Sequence, residues 1–196
     1  MRFNICRSPI EREQFLLNLK LTPCPHCKTV GSLNRHGFLK AFQGDDVRAK
    51  SVRANRVFCS NRGRSQGCGR TFSVWIADKI KRLFLSSTQL WQFLKETTAT
   101  GNKRNAFKKL DVDMSDSAPY RIWKRFQKAQ AAIRTALCAL CSPPECERND
   151  PDNSDDQNQP TASTLAHLID AFNGSQLNTD LGPIAAFQVA RQTFFV

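Results

Sequence analysis

Residues 24–27 read Cys24-Pro25-His26-Cys27, and residues 59–73 hold Cys59 and then the run Cys68-Gly69-Arg70-Thr71-Phe72-Ser73. A two-residue spacing lets one tight turn aim two thiolates at a single ion. Gly69, directly after the last of these cysteines, can take the positive φ that a metal-binding turn often needs. Four thiolates fill a tetrahedral shell, so Cys24, Cys27, Cys59 and Cys68 are expected to hold a structural metal ion, with no open position for water or substrate. The second pair departs from the usual pattern, because Cys59 and Cys68 enclose eight residues, Ser60 to Gly67, where about two to four is common. That insert is polar, holds Arg62 and Arg64 and has glycines for bends, so it reads as a loop bulging out between the ligands. His26 and His36 are the substitute ligands should one cysteine be excluded.

Between the cysteine pairs, residues 32–42 and 51–58 read as strands around a turn at Gly44-Asp45-Asp46, and residues 70–75 as a third strand. Arg48, Arg53, Arg56, Arg62, Arg64 and Arg70 stud this sheet and are candidates for phosphate contact. Upstream, residues 8–20 read as a helix: Ser8 caps, Pro9 suits the first helical position, Glu11 completes a capping box, and Phe15, Leu16 and Leu19 share one face.

The order CPHC at 24–27, RHGF at 35–38, Phe58-Cys59 and CGRTFS at 68–73 resembles the N-terminal zinc ribbon of bacterial insertion-sequence transposases. The resemblance is specific over residues 24–73 and looser over the rest of the first two-thirds of the chain; small phage activator zinc fingers are more distantly similar. It implies one structural Zn²⁺ and a ribbon that binds DNA together with a following helix-turn-helix. In that family a separate RNase H-like domain with three acidic residues cuts the DNA.

The chain has 196 residues, enough for one compact domain or two small ones but not for a large catalytic domain besides. No run reaches the ~18 apolar residues of a membrane helix, and the first residues lack the apolar core of an export signal, so a cytoplasmic protein with reduced thiols is expected. Net charge is +12 and uneven: residues 1–144 hold 27 Lys+Arg against 9 Asp+Glu, whereas residues 145–196 hold 2 against 8. A front half charged in this way favours polyanions through counterion release.

Past Lys79-Ile80-Lys81-Arg82, a helix is expected from Ser86 or Ser87 to just before Gly101, a short one over residues 103–110, and a long one from about Pro119 to Cys141. The long helix has Ile122, Phe126, Ala129, Ile133, Leu137 and Leu140 on one stripe. Its opening residues resemble the start of transposase recognition helices, with Ser117, Tyr120, Arg121, Lys124 and Arg125 placed to meet bases and phosphates in the major groove. A bundle helix with a solvated basic side is the other reading. Trp91 and Trp123 fit core or dimer contacts better than base stacking. Residues 143–162 read as an acidic flexible linker, followed by helices over 163–172 and 183–195. Cys138, Cys141 and Cys146, with Cys6 or His167 as a fourth ligand, form a second cluster that small thiols in a core explain as well.

The expected fold is therefore α+β: a helix and zinc ribbon over 1–78, a helix-turn-helix-like bundle over 79–142, the linker over 143–162 and a C-terminal helical pair over 163–196. The expected function is duplex DNA binding without catalysis, since the acidic residues after the helix-turn-helix fall mainly in the linker, where they cannot be held to position metal ions. The alternatives are a transposase or recombinase subunit that works with a separate catalytic chain, or an adaptor that docks a protein through the C-terminal helices. RNA binding stays open.

Overall fold

A computed structural model describes residues 3–43, 46–63, 65–110, 112, 115–144, 159–173 and 181–196. The elements run β1 (Phe3–Cys6), α1 (Pro9–Leu17), β2 (Leu33–Gln43), β3 (Asp46–Cys59), β4 (Thr71–Ile76), α2 (Ser87–Thr100), α3 (Lys103–Lys108), α4 (Ala118–Cys138), α5 (Gln159–Phe172) and α6 (Pro183–Arg191). The fold is α+β, as expected. Its sheet has the order β1-β4-β3-β2, with β2–β3 and β3–β4 antiparallel and β1 parallel to β4. No helix among the described residues is long and apolar enough to cross a membrane.

Three strands cover the expected segments, and β3 starts five residues earlier than expected, at Asp46 instead of Ser51. Of the expected turn, Gly44 and Asp45 lie outside the described residues and Asp46 opens β3. Between the pairs Arg35↔Val57 and Phe38↔Asn55, His36 and Gly37 face Arg56 alone, and Gly37 takes φ 95°. This is a bulge with a glycine in the region that side chains avoid. The strand β1 was not expected, because four residues are too few to show a period. It is drawn in by pairing with β4, from Phe3↔Ser73 to Cys6↔Ile76, and its own Ile5 and Cys6 are buried.

Side-chain caps set the starts of α1, α2 and α3. Ser86 Oγ accepts from Gln89 N–H at 3.1 Å while Gln89 Oε1 accepts from Ser86 N–H at 2.9 Å, and Gly101 at φ 70° closes α2. The box expected on α1 is only half made: Ser8 Oγ accepts from Glu11 N–H, but the Glu11 carboxylate takes the N–H of Arg7 instead of Ser8. Ser117, at the N-cap position of α4, makes no side-chain cap bond. The helix α4 buries Ile122, Phe126, Ile133 and Leu137 as its period requires, and it adds Trp123 and Gln130. It stops at Cys138, short of the expected Cys141, so Leu140 falls beyond it and is 42% exposed.

The C-terminal elements differ from expectation at both ends. The helix α5 starts at Gln159, so Pro160, read above as linker, sits in its first turn, where a missing N–H costs nothing. Residues 145–158 lie outside the described residues. The helix α6 ends at Arg191, because Gln192 takes φ 49°, and residues 193–196 leave it to bury Phe195 against Phe126 and Phe187. Leu165, Leu168, Phe172, Ile184 and Phe187 join Phe93, Phe107 and Phe126 in one core, so the tail packs onto the bundle.

A seam ties that bundle to the sheet. Ala185 of α6 packs with Ile5, Ala54, Trp75 and Ala77. The Gln192 amide completes the outer edge of β1, accepting from Ile5 N–H at 2.8 Å and donating to Ile5 C=O at 3.0 Å. Fully buried Gln188 donates to Ala77 C=O at 2.6 Å and accepts from Phe195 N–H at 3.2 Å. Gln188→Ala strands both backbone groups, at roughly 1–3 kcal/mol for each polar group left unpaired. Urea unfolding is expected to show a clear fall in midpoint; a variant that unfolds with the wild type would remove Gln188 from the seam.

Candidate metal centre and basic surface

The two cysteine pairs are built by matching turns. In the first, Lys28 N–H donates to Cys24 C=O at 2.9 Å, and Cys24 N–H donates to Thr29 C=O at 3.0 Å. In the second, Gly69 N–H donates to Cys59 C=O at 2.9 Å, and Cys59 N–H donates to Arg70 C=O at 2.9 Å. The residue after the second cysteine of each pair has positive φ, 65° at Lys28 and 69° at Gly69. The eight-residue insert therefore leaves the turn intact. It loops out and is closed at its neck by Gly67 N–H donating to Ser60 C=O at 2.8 Å.

These turns bring Cys24, Cys27, Cys59 and Cys68 together, with all four sulfurs within 4.8 Å of one another. The Cys24–Cys68 and Cys27–Cys59 sulfur separations are 3.9 and 3.6 Å. Four sulfurs at about 2.3 Å from a tetrahedral ion stand about 3.8 Å apart, so the donor set and its spacing fit a metal ion. Backbone N–H groups support the sulfurs, from His26 to Cys24 at 3.4 Å and from Cys68 to Cys59 at 3.3 Å, and Ser32 Oγ lies 3.1 Å from Cys59 Sγ.

As free thiols the ligands differ. Burial pushes Cys24 up to about 11 and also raises Cys68. Cys27, exposed at the rim, is held down to about 6 by the hydroxyl and backbone N–H of Thr29. His26 packs edge-on to Phe72 and His36 against Phe58, and neither joins the sulfur cluster.

The second cysteine group gathers no ligand set among the described residues. Cys6 is in the small hydrophobic cluster with Leu16, Leu33 and Phe72, where burial pushes its thiol up to about 12, and His167 Nε2 lies 3.1 Å from the carbonyl of Cys141. Cys146 lies outside the described residues.

The arginines assigned to phosphate divide into two groups. Arg62 and Arg70 are exposed and Arg56 is half-buried. Arg53 is turned inward at 8% exposure and donates to Ile80 C=O at 3.3 Å. Arg125 also works as a staple, donating to Lys81 C=O at 2.8 Å, Arg82 C=O at 3.3 Å and Val196 O at 3.0 Å. The side chain of Arg48 and all of Arg64 lie outside the described residues.

Ser117, Tyr120, Arg121 and Lys124 are exposed on the opening turns of α4. Arg121 donates to Ser115 Oγ at 3.0 Å. The short helix α3 lies where it was expected, but its cations were not among the candidate contacts; Arg104 binds Asp116 at 3.0 Å and so brings a second cationic helix beside the start of α4. Lys108 is exposed on α3, Lys109 pairs with Glu96, and Lys103 lies over the Trp123 ring. The paired cations Lys103-Arg104 and Lys108-Lys109 were the visible signal. Gly101-Asn102 joins α2 to α3, whereas residues 109–117 join α3 to α4, longer than the three to four residues typical (about one tight turn) of a helix-turn-helix.

Two outcomes test the centre. A Cβ at Gly67 would lie 2.2 Å from Ser60 O and 2.5 Å from Cys59 Sγ, whereas one at Gly63 would meet nothing within 4 Å. Gly67→Ala should therefore lose bound metal, and Gly63→Ala should keep it at a cost of about 1 kcal/mol for its positive φ; equal metal content in both would contradict this. The second outcome concerns pH. Cys24 and Cys68 carry protons at neutral pH as free thiols and must release them to bind metal, while Cys27 is already largely thiolate. Metal affinity should fall as pH falls, by about tenfold per pH unit for each proton released, and more steeply below about 6 where Cys27 also takes a proton. A chelator competition flat between neutral and acid pH would contradict it.

No protein-family model matches this chain, and no curated protein or solved structure is significantly similar to it.

Proposed function

We propose that the chain is a DNA-binding protein stabilised by one structural Zn²⁺, laid out like the DNA-recognition part of insertion-sequence transposases. An all-thiolate tetrahedral set is the soft, closed environment that zinc favours, and it leaves no coordination site for chemistry. Under this reading the cysteine turns form a zinc ribbon and α2, α3 and α4 a helix-turn-helix variant with a lengthened second turn. The protein acts in the cytoplasm by binding, not cutting, and a recombinase or other partner supplies any strand chemistry.

The observation that carries the reading is the exposed cationic face formed where Arg104 of α3 is tied through Asp116 to the start of α4, beside Tyr120, Arg121 and Lys124. The opening of α4 presents a planar guanidinium and a phenol to a groove, and Lys108 and Lys124 flank them for phosphate contact. The exposed Arg62 and Arg70 near the metal centre extend the positive surface onto the ribbon. Arg53 and Arg125, engaged by carbonyls, serve instead to hold that surface in place.

Fluorescence anisotropy with the full zinc-loaded chain tests this, using a duplex selected from a random pool and a scrambled duplex over a range of salt. Arg121→Ala is expected to cost about 1–3 kcal/mol on the selected duplex and little on the scrambled one. Arg62→Ala is expected to weaken both alike and lower the salt slope by about 1. Binding that ignores salt, or no binding at low salt, would reject the DNA reading.

A further inference from the structure

Two clefts share residues 82–84 as a common wall. The larger, of about 460 Å³, lies between that segment and the sheet, with Leu39, Trp75 and Phe84 in its walls beside Lys40, Lys81 and Arg82. The smaller, of about 280 Å³, lies between the same segment and α4 and is lined by Arg82, Phe84, Arg121 and Ile122. Among the described residues neither wall holds an acidic side chain. A track of cations over an apolar floor with an aromatic ring is the chemistry of an unpaired strand, whose phosphates follow the charge while its bases stack. A duplex has no use for the apolar floor, because its bases already stack on each other.

The segment is also preorganised. Arg82 takes φ 60°, a costly conformation for a residue with a side chain. The Arg125 guanidinium holds it there by binding the carbonyls of Lys81 and Arg82, and Leu83 beneath is 7% exposed. Strain of this kind persists where surrounding structure imposes it, and it gathers at functional sites. Arg121 joins the two surfaces, since it lines the smaller cleft and stands on the face proposed to meet duplex DNA.

We propose that these clefts hold an unpaired DNA strand running off the duplex bound by α3 and α4, so that the preferred substrate is a junction between double- and single-stranded DNA. This rests on the duplex reading above. The full zinc-loaded chain is titrated with a blunt duplex, the same duplex bearing a short unpaired tail at either end polarity, and tailed duplexes whose tail lacks bases or is RNA. One tail polarity is expected to tighten binding at least about tenfold, a gain within reach of stacking one base. The abasic tail should give less.

Phe84→Ala and Lys40→Gln should each cut the gain to about twofold or less while leaving blunt-duplex affinity unchanged; Lys40 is exposed, so its variant keeps the test valid if Phe84→Ala unfolds. The proposal is overturned if neither tail tightens binding, if the abasic tail matches the natural one, if an RNA tail binds better than DNA, or if the gain survives Lys40→Gln. Blunt duplex bound without any gain from a tail removes this proposal alone. No duplex bound at any salt removes the duplex reading and the junction together.

Discussion

The convergence of four sulfurs within 4.8 Å is the constraint on which the rest of the sheet depends. Two of those sulfurs come from the turn that precedes β2, one from the last residue of β3 and one from the connection between β3 and β4, so an ion held by all four would link these three segments. The hydrophobic cluster beneath it is small and includes Cys24 and Cys59 themselves beside Leu16, Leu33, Val57 and Phe72. Structural zinc contributes about 10–16 kcal/mol of apparent binding energy in small zinc domains, comparable to or larger than the ~5–15 kcal/mol net stability of a whole domain. A metal ion held by the four sulfurs would therefore add stability on the scale of a whole domain. The consequence reaches β1, which among the described residues pairs only with β4 and is otherwise completed by the Gln192 amide.

The second constraint is the seam between sheet and bundle. Gln188, Gln192, Arg53 and Arg125 all spend their polar groups on backbone carbonyls or amides across it. Buried backbone groups must be paired, and these side chains pair the groups that helices and strands leave over where the two layers meet. The functional effect is positional. By tying Ile80 to β3 through Arg53 and residues 81–82 to α4 through Arg125, the seam determines how the cationic opening of α4 stands relative to the arginine-bearing sheet.

Local chemistry made much of this legible in the sequence. The spacing of Cys24 and Cys27, the serine start of α2 and the Gly101-Asn102 stop are short-range signals, and the structure has each of them where the residues imply. The insert between Cys59 and Cys68 was readable as a loop, but the requirement for glycine at 67 was not, since it arises from contact with Ser60 and Cys59 and not from a turn angle. Tertiary partners hid the remainder. Arg53 and Arg125 look like any other surface arginine until the carbonyls that receive them are in place. β1 has no period of its own, and α6 ends where Phe195 finds a slot between Phe126 and Phe187, which no propensity of residues 192–195 reveals. The cations of α3 were visible but had no stated neighbour, until the Arg104–Asp116 pair set them beside α4.

The proposed four-thiolate zinc centre is read directly by X-ray absorption at the zinc edge on the purified full chain. It predicts one zinc per chain with four sulfur neighbours at about 2.3 Å and no nitrogen or oxygen in the first shell. A shell of three sulfurs and one nitrogen, with His26 or His36 replacing a cysteine, would contradict the four-thiolate centre, and a folded protein with no bound metal would contradict its structural role.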